Sequence, residues 1–174
     1  MKPVYLALGS NLGDREERLR SGIRGLGARG LDIIRCASFY STEPREVFAQ
    51  PWFLNTVLEA RTALTPDELL QTCLEVEKEN LRTRDINKGP RTLDIDIVFY
   101  GNEIIRKPGL SIPHPAFSSR RFVLAPLAEI APGFVDPFSG KAVRQLLEAC
   151  ADMATVTRVS DAPVSFPLSP SGQQ

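Results

Sequence analysis

The stretch Gly89-Pro90-Arg91-Thr92-Leu93-Asp94-Ile95-Asp96-Ile97-Val98 constrains the fold more than any other part of the chain. Leu93, Ile95 and Ile97 alternate with Asp94 and Asp96, and side chains at i and i+2 of a strand point to one face. The segment therefore predicts a strand over 92–100 that turns its apolar set into a core and presents two carboxylates together. Two neighbouring carboxylates repel. Either they lie on a solvated strand edge, or cations sit between them. Hard divalent cations answer the second case, and Mg²⁺ typically takes one or two carboxylates plus substrate phosphates. The residues alone leave both readings open. Arg91, three residues before Asp94, falls on the opposite face of a regular strand, but a bend at Gly89-Pro90 would bring it round to a phosphate.

The rest of the chain alternates strand-like and helix-like segments. Val4-Tyr5-Leu6-Ala7-Leu8 reads as a first strand, closed by the turn Gly9-Ser10-Asn11-Leu12-Gly13. Asp14 caps a helix with Leu19, Ile23 and Leu26 on its apolar face and Gly30 beyond its end. Strands follow over 33–40 and 53–60. Thr65-Pro66-Asp67-Glu68 opens a second helix: a capping Thr, Pro at the first position, then two acids at the positive end of the macrodipole. Leu69, Leu70, Cys73, Val76 and Glu77 share one face of it. Gly101-Asn102 turns into 103–106, short helices are expected over 122–130 and 143–150, and a last strand over 153–159. The order β-α-β-β-α-β predicts an α+β fold of ferredoxin-like type, an antiparallel sheet with helices on one face, plus a helical C-terminal extension. Residues 1–160 read as one domain. Residues 161–174, rich in Pro and Ser, read as a mobile tail.

A hydrophobic fraction of 43% and a charged fraction of 24% are those of a globular protein, which argues against disordered, collagen-like and disulfide-scaffold chains. The apolar runs fall short of the ~18–20 residues of a membrane span. The stretch 3–8 is too short for a signal peptide, so a cytoplasmic protein is expected. Cys36, Cys73 and Cys150 are odd in number and far apart, as buried thiols in a reducing compartment would be. The net charge of zero hides a basic middle: residues 82–121 hold 8 Lys/Arg against 4 Asp/Glu, while the flanks are each net negative. That suggests a local anion site, not a broad nucleic-acid footprint.

Several side chains admit two readings. Arg82 and Arg84 complement a helix C-terminus or bind polyphosphate. The lone histidine, His114 in Ile112-Pro113-His114-Pro115, is either a packed residue or a ligand contact held by flanking prolines. Asn55 is a strand filler, or the partner of Phe53 on one strand face, an aromatic plane beside an amide that suits a flat heterocycle. The Gly9–Gly13 turn lacks the Lys-Ser/Thr of a P-loop and reads as turn plus cap.

The segments Ala7-Leu8-Gly9-Ser10-Asn11-Leu12-Gly13-Asp14, Ser38-Phe39-Tyr40-Ser41-Thr42, Phe53-Leu54-Asn55 and Gly89-Pro90-Arg91-Thr92-Leu93-Asp94-Ile95-Asp96-Ile97 resemble the 6-hydroxymethyl-7,8-dihydropterin pyrophosphokinase family of folate biosynthesis. So does Ile112-Pro113-His114-Pro115, followed by Arg120 and Phe122. The resemblance runs in order over residues 3–150. It implies that Asp94 and Asp96 hold two Mg²⁺ against the polyphosphate of ATP. It makes Arg82 and Arg91 phosphate-binding and catalytic, with Arg84, Ile97, Ser111, His114 and Arg120 also at the nucleotide. Phe53 and Phe122 would sandwich the pterin, Asn55 would bond its edge, and Thr42, Glu43 and Arg45 would complete its pocket. Many members carry Trp where this chain has Lys88, and Tyr where it has Pro115.

The implied reaction is transfer of pyrophosphate from ATP to the pterin hydroxymethyl group, releasing AMP, by a monomer that binds only small molecules and neither nucleic acid nor membrane. Another Mg²⁺-dependent D-x-D phosphoryl or nucleotidyl transferase is the alternative. An RNA-binding module on a similar sheet would need aromatics where this strand has carboxylates.

Overall fold

The computed structural model describes residues 1–43, 52–80 and 93–163. Six strands of these residues form one sheet in the order β5-β1-β4-β3-β8, with β2 also paired to β4. Their ranges are β1 (Lys2–Ser10), β2 (Asp32–Cys36), β3 (Phe39–Thr42), β4 (Phe53–Thr62), β5 (Asp94–Tyr100) and β8 (Val156–Ser160). Every pairing in it is antiparallel. A separate ribbon pairs β6 (Ile105–Lys107) with β7 (Leu110–Ile112). The helices are α1 (Arg15–Ala28), α2 (Pro66–Asn80), α3 (Arg121–Ile130) and α4 (Val143–Glu148).

The expected caps are in place. Asp14 Oδ1 accepts from the Glu17 amide at 3.1 Å at the start of α1. At α2, Thr65 Oγ1 accepts from the Glu68 amide while Glu68 Oε2 accepts from the Thr65 amide, a reciprocal capping box.

Helices cover both faces of the sheet, not one. Val4, Leu6 and Leu8 of β1 pack with Leu19, Ile23 and Leu26 of α1 and Leu69, Cys73 and Val76 of α2. Tyr5, on the opposite face of β1, packs with Phe99, Phe117, Val123, Leu124 and Leu127 and with Val143 and Leu146 of α4. The reason lies in β1 itself: Val4-Tyr5-Leu6-Ala7-Leu8 has no polar alternation, which is how a strand buried on both sides reads. The C-terminal extension supplies the second layer. Gly22 lets α1 come close to the sheet, because a Cβ there would lie 2.9 Å from Leu93 Cδ2.

Three other expectations need correction. The strand over 33–40 is two, β2 and β3: Ala37 keeps its amide on the Val57 carbonyl of β4, but Ser38 gives its amide and hydroxyl to Glu129 of α3, each at 2.6 Å. The β7 half of the ribbon has no signature in the sequence, because three residues carry too little pattern. Finally, only Cys36 and Cys73 are buried, and Cys150 is half-exposed. The expected tail over 161–174 lies outside the described residues from 164 onward.

Candidate active site

The two aspartates stand on the outermost strand of the sheet. Leu93, Ile95 and Ile97 are buried, Asp94 is half-buried and Asp96 is exposed, as the alternation requires. Gly9 and Ala7 of β1 are the cross-strand partners of Asp94 and Asp96. The free edge of β5 is closed on both sides of Asp96. Glu77 of α2 accepts from the Ile95 amide through Oε1 at 2.7 Å, and the His114 amide donates to the Val98 carbonyl at 3.1 Å.

A cavity of about 350 Å³ opens against this edge, lined by Leu70, Asp96, Ile97, Ser111, His114 and Pro115 among others. Four residues marked from the sequence, Asp96, Ile97, Ser111 and His114, thus meet in one space. His114 Nδ1 accepts from the Ala116 amide at 3.1 Å, so the neutral ring carries its proton on Nε2. That atom lies 4.0 Å from Asp96 Oδ1, too far for a hydrogen bond. Burial pulls the His114 pKa down and Arg120 adds to this, while Asp96 pulls the other way. A neutral imidazole aiming an N–H donor into a space beside a carboxylate suits a phosphate oxygen.

The aspartate oxygens are hard donors, matched to Mg²⁺ and not to softer metals. Among the described residues no three His, Cys, Asp or Glu side chains gather to hold a metal. Mg²⁺ at a nucleotide usually takes one or two carboxylates and completes its shell with water and phosphate oxygens, and Asp94 and Asp96 are the carboxylates this strand offers.

Across β1 the environment changes. Asn55 on β4 is buried, and its Nδ2 donates to Thr42 Oγ1 of β3 at 2.6 Å. Gly9 faces Asn55 across the ladder, and a Cβ there would lie 2.5 Å from Asn55 Oδ1. Only glycine leaves room for the amide. Phe53 is half-buried one strand period from Asn55. Glu43 Oε1 accepts from the Thr155 amide at 2.8 Å, which ties the end of β3 to the segment before β8. Phe122, at the start of α3, lies under the Arg120 guanidinium at 5.7 Å. Arg45, Arg82, Arg84 and Arg91, and with them Lys88, lie outside the described residues.

Sequence reasoning passed over three features. From the sequence Gly9 reads as a turn residue, and its close approach to Asn55 becomes visible only once β1 and β4 are in register. Ser10 Oγ and both ends of the Asn11 amide are buried with no hydrogen-bond partner among the described residues. Such atoms cost about 1–3 kcal/mol each, which marks the end of β1 as more than a turn. Glu77 had a signal: a carboxylate on the apolar face of α2 needs a buried partner.

Residues 5–132 match the family 7,8-dihydro-6-hydroxymethylpterin-pyrophosphokinase (HPPK). The chain is 43% identical over 148 residues to a 2-amino-4-hydroxy-6-hydroxymethyldihydropteridine pyrophosphokinase of Synechocystis sp., covering 83% of this chain and 74% of that one. It is 39% identical over 149 residues to a folic acid synthesis protein of Pneumocystis carinii, covering 86% of this chain but only 20% of that much longer protein. The fold is similar to wild-type HPPK-DHPS of Plasmodium falciparum at a TM-score of 0.67 and 15% identity, over 85% of this chain and 44% of that one.

Proposed function

The chain belongs to the 7,8-dihydro-6-hydroxymethylpterin-pyrophosphokinase family, and on that premise we propose that it transfers the β,γ-pyrophosphoryl group of ATP to the hydroxymethyl oxygen of 6-hydroxymethyl-7,8-dihydropterin, releasing AMP. The observation that carries this reading is the meeting of Asp96, Ile97, Ser111 and His114 around one cavity at the β5 edge, with Asn55 buried on the other side of β1. The first set suits a polyphosphate and the second a flat, hydrogen-bonding ring. The sheet order β5-β1-β4-β3, with α1 and α2 crossing one face, supports the ferredoxin-like assignment of the core. Residues 1–160 act as one catalytic domain, in a cytoplasmic monomer.

In the mechanism we favour, the pterin oxygen attacks the β-phosphorus in line with the departing AMP, and no enzyme nucleophile intervenes. Positioning and charge neutralisation carry the catalysis. Asp94 and Asp96 would hold two Mg²⁺, whose bound charge neutralises the polyphosphate oxygens. Arg82 and Arg91 offset the charge that grows in the transition state, and Arg84 and Arg120 add to the positive field. His114 donates its Nε2 proton to a phosphate oxygen, and Ser111 and Ile97 shape the nucleotide cavity. Phe53 and Phe122 stack on the pterin, while Asn55, with Thr42, Glu43 and Arg45, reads its edge. No helix of the described residues is long and apolar enough to cross a membrane.

Product analysis tests the reading: purified protein, ATP, Mg²⁺ and 6-hydroxymethyl-7,8-dihydropterin, with and without chelator. Equal amounts of AMP and pterin pyrophosphate, both lost on chelation, are expected. ADP, or a nucleotide-linked product, would move the chain to another D-x-D transfer chemistry.

A further inference from the structure

We propose that Glu77 is a positioning residue that sets the spacing of Asp94 and Asp96 by holding the backbone between them. The inference rests on the pyrophosphokinase reading for its catalytic consequence, but its structural part stands alone. Among the described residues β5 is the last strand of the sheet, so alternate amides on its outer side have no ladder partner there. Ile95 supplies one of these outward amides, since its N–H goes to Glu77 and not to β1. An exposed strand edge frays and pairs promiscuously. Here a carboxylate from α2 takes the place of the missing strand.

The bond falls at the midpoint of the D-x-D. Asp94 and Asp96 flank Ile95, and both pair with β1 on the inner side, through Gly9 and Ala7. With Glu77 outside and β1 inside, the backbone of the triplet is held from both directions. The next outward contact, from the His114 amide to the Val98 carbonyl, secures the strand beyond Asp96. Glu77 is itself placed by the capped and packed helix, one turn beyond buried Cys73 and between buried Val76 and Asn80. A charge-assisted bond of this kind is stronger than a neutral one. Catalytic groups that handle polyphosphate need to be held to within about 0.5 Å, and that is what an anchored backbone provides.

The test compares Glu77→Ala, Glu77→Gln and wild type as full chains in three measurements. These are hydrogen exchange of the Ile95 amide by NMR, affinity for Mg²⁺-ATP by calorimetry without pterin, and steady-state kinetics. In Glu77→Ala, Ile95 exchange is expected to rise at least about tenfold while Leu6 in central β1 stays protected. Mg²⁺-ATP should bind about tenfold more weakly and kcat should fall by about 10–100-fold, with the KM for pterin within about twofold. Glu77→Gln keeps a side-chain oxygen and should restore Ile95 protection and most of the affinity. Wild-type exchange and affinity in Glu77→Ala would overturn the proposal, and so would a Gln variant as defective as Ala. If Glu77→Ala does not fold, Glu77→Asp, with its carboxylate drawn back by one methylene, carries the same expectations and the same refutation. A wild-type protein that makes no AMP and pterin pyrophosphate would end the pyrophosphokinase reading, while exchange and Mg²⁺-ATP binding would still decide the role of Glu77.

Discussion

At the β5 edge Asp96, Ser111 and His114 line a cavity, whereas Asn55 of β4 and Thr42 of β3 are buried and bonded to one another. Asp96 and the Nε2 proton of His114 face a cavity without touching each other. Asn55 and Thr42 share a hydrogen bond. The contrast follows from what each side is suited to hold. On the proposed reading, a polyphosphate brings its own charges and cations, so its side of the molecule is lined by charged and polar groups spread around a cavity. A flat ring brings dispersed donors and acceptors, so its site gains most from side chains already held at fixed angles. Strand β1 joins the two, pairing with β5 on one side and β4 on the other.

The contrast can be broken one half at a time. The largest effect is expected from Asp94→Ala, which should cut turnover by about 10³-fold and leave pterin affinity within about twofold. Loss of pterin binding with normal turnover would reverse the assignment of the two halves. Next comes Asn55→Ala, which strands the Thr42 hydroxyl in a buried place. It should weaken pterin binding by about 10–100-fold and lower unfolding stability by about 1–3 kcal/mol, with Mg²⁺-ATP affinity unchanged by calorimetry. Gly9→Ala tests the shared strand. Its methyl group meets the Asn55 amide, so a loss of about 1–3 kcal/mol in denaturant unfolding is expected together with weaker pterin binding.

A separate effect, set by pH, concerns the two buried thiols, Cys36 and Cys73. Burial pushes Cys36, beside Thr56 on β4, up to about 11, and Cys73, on α2, up to about 12, from 9.0. Above pH 9 the unfolded chain gives up thiol protons that the folded chain keeps, so stability should fall as pH rises from 9 and level off as the folded thiols titrate by about 12. Each thiol adds at most about 1.4 kcal/mol per pH unit. Denaturant titrations from pH 8 to 11 read the slope directly. In the native protein at pH 8, only Cys150 should react with a thiol reagent within minutes, since Cys36 and Cys73 are both buried and held neutral.

Strand β5 was legible because the alternation of Ile95 and Ile97 with Asp94 and Asp96 is a period-2 pattern that only a strand can satisfy. The caps of α1 and α2 were legible for a similar reason: Asp14 and Thr65 act within one turn of themselves. The break between β2 and β3 was not, because it depends on Glu129, some ninety residues away, capturing Ser38. The cavity was half legible. Ser111 and Ile97 came from resemblance, and no local signal places a three-residue ribbon strand beside Asp96.

Patterns of short reach therefore settled most of the strands and helices, though not β7 or the division of β2 from β3, as well as which residues carry charge and that two carboxylates share a face. The tertiary structure alone decided that β5 is an edge strand, that helices cover both faces, that Gly9 makes room for Asn55, and that Glu77 meets the Ile95 amide. The physical reason is range. Propensity, capping and alternation act between near neighbours in the chain, whereas a cross-strand clearance or an edge cap exists only when distant segments are packed into register, and nothing in either segment records it alone.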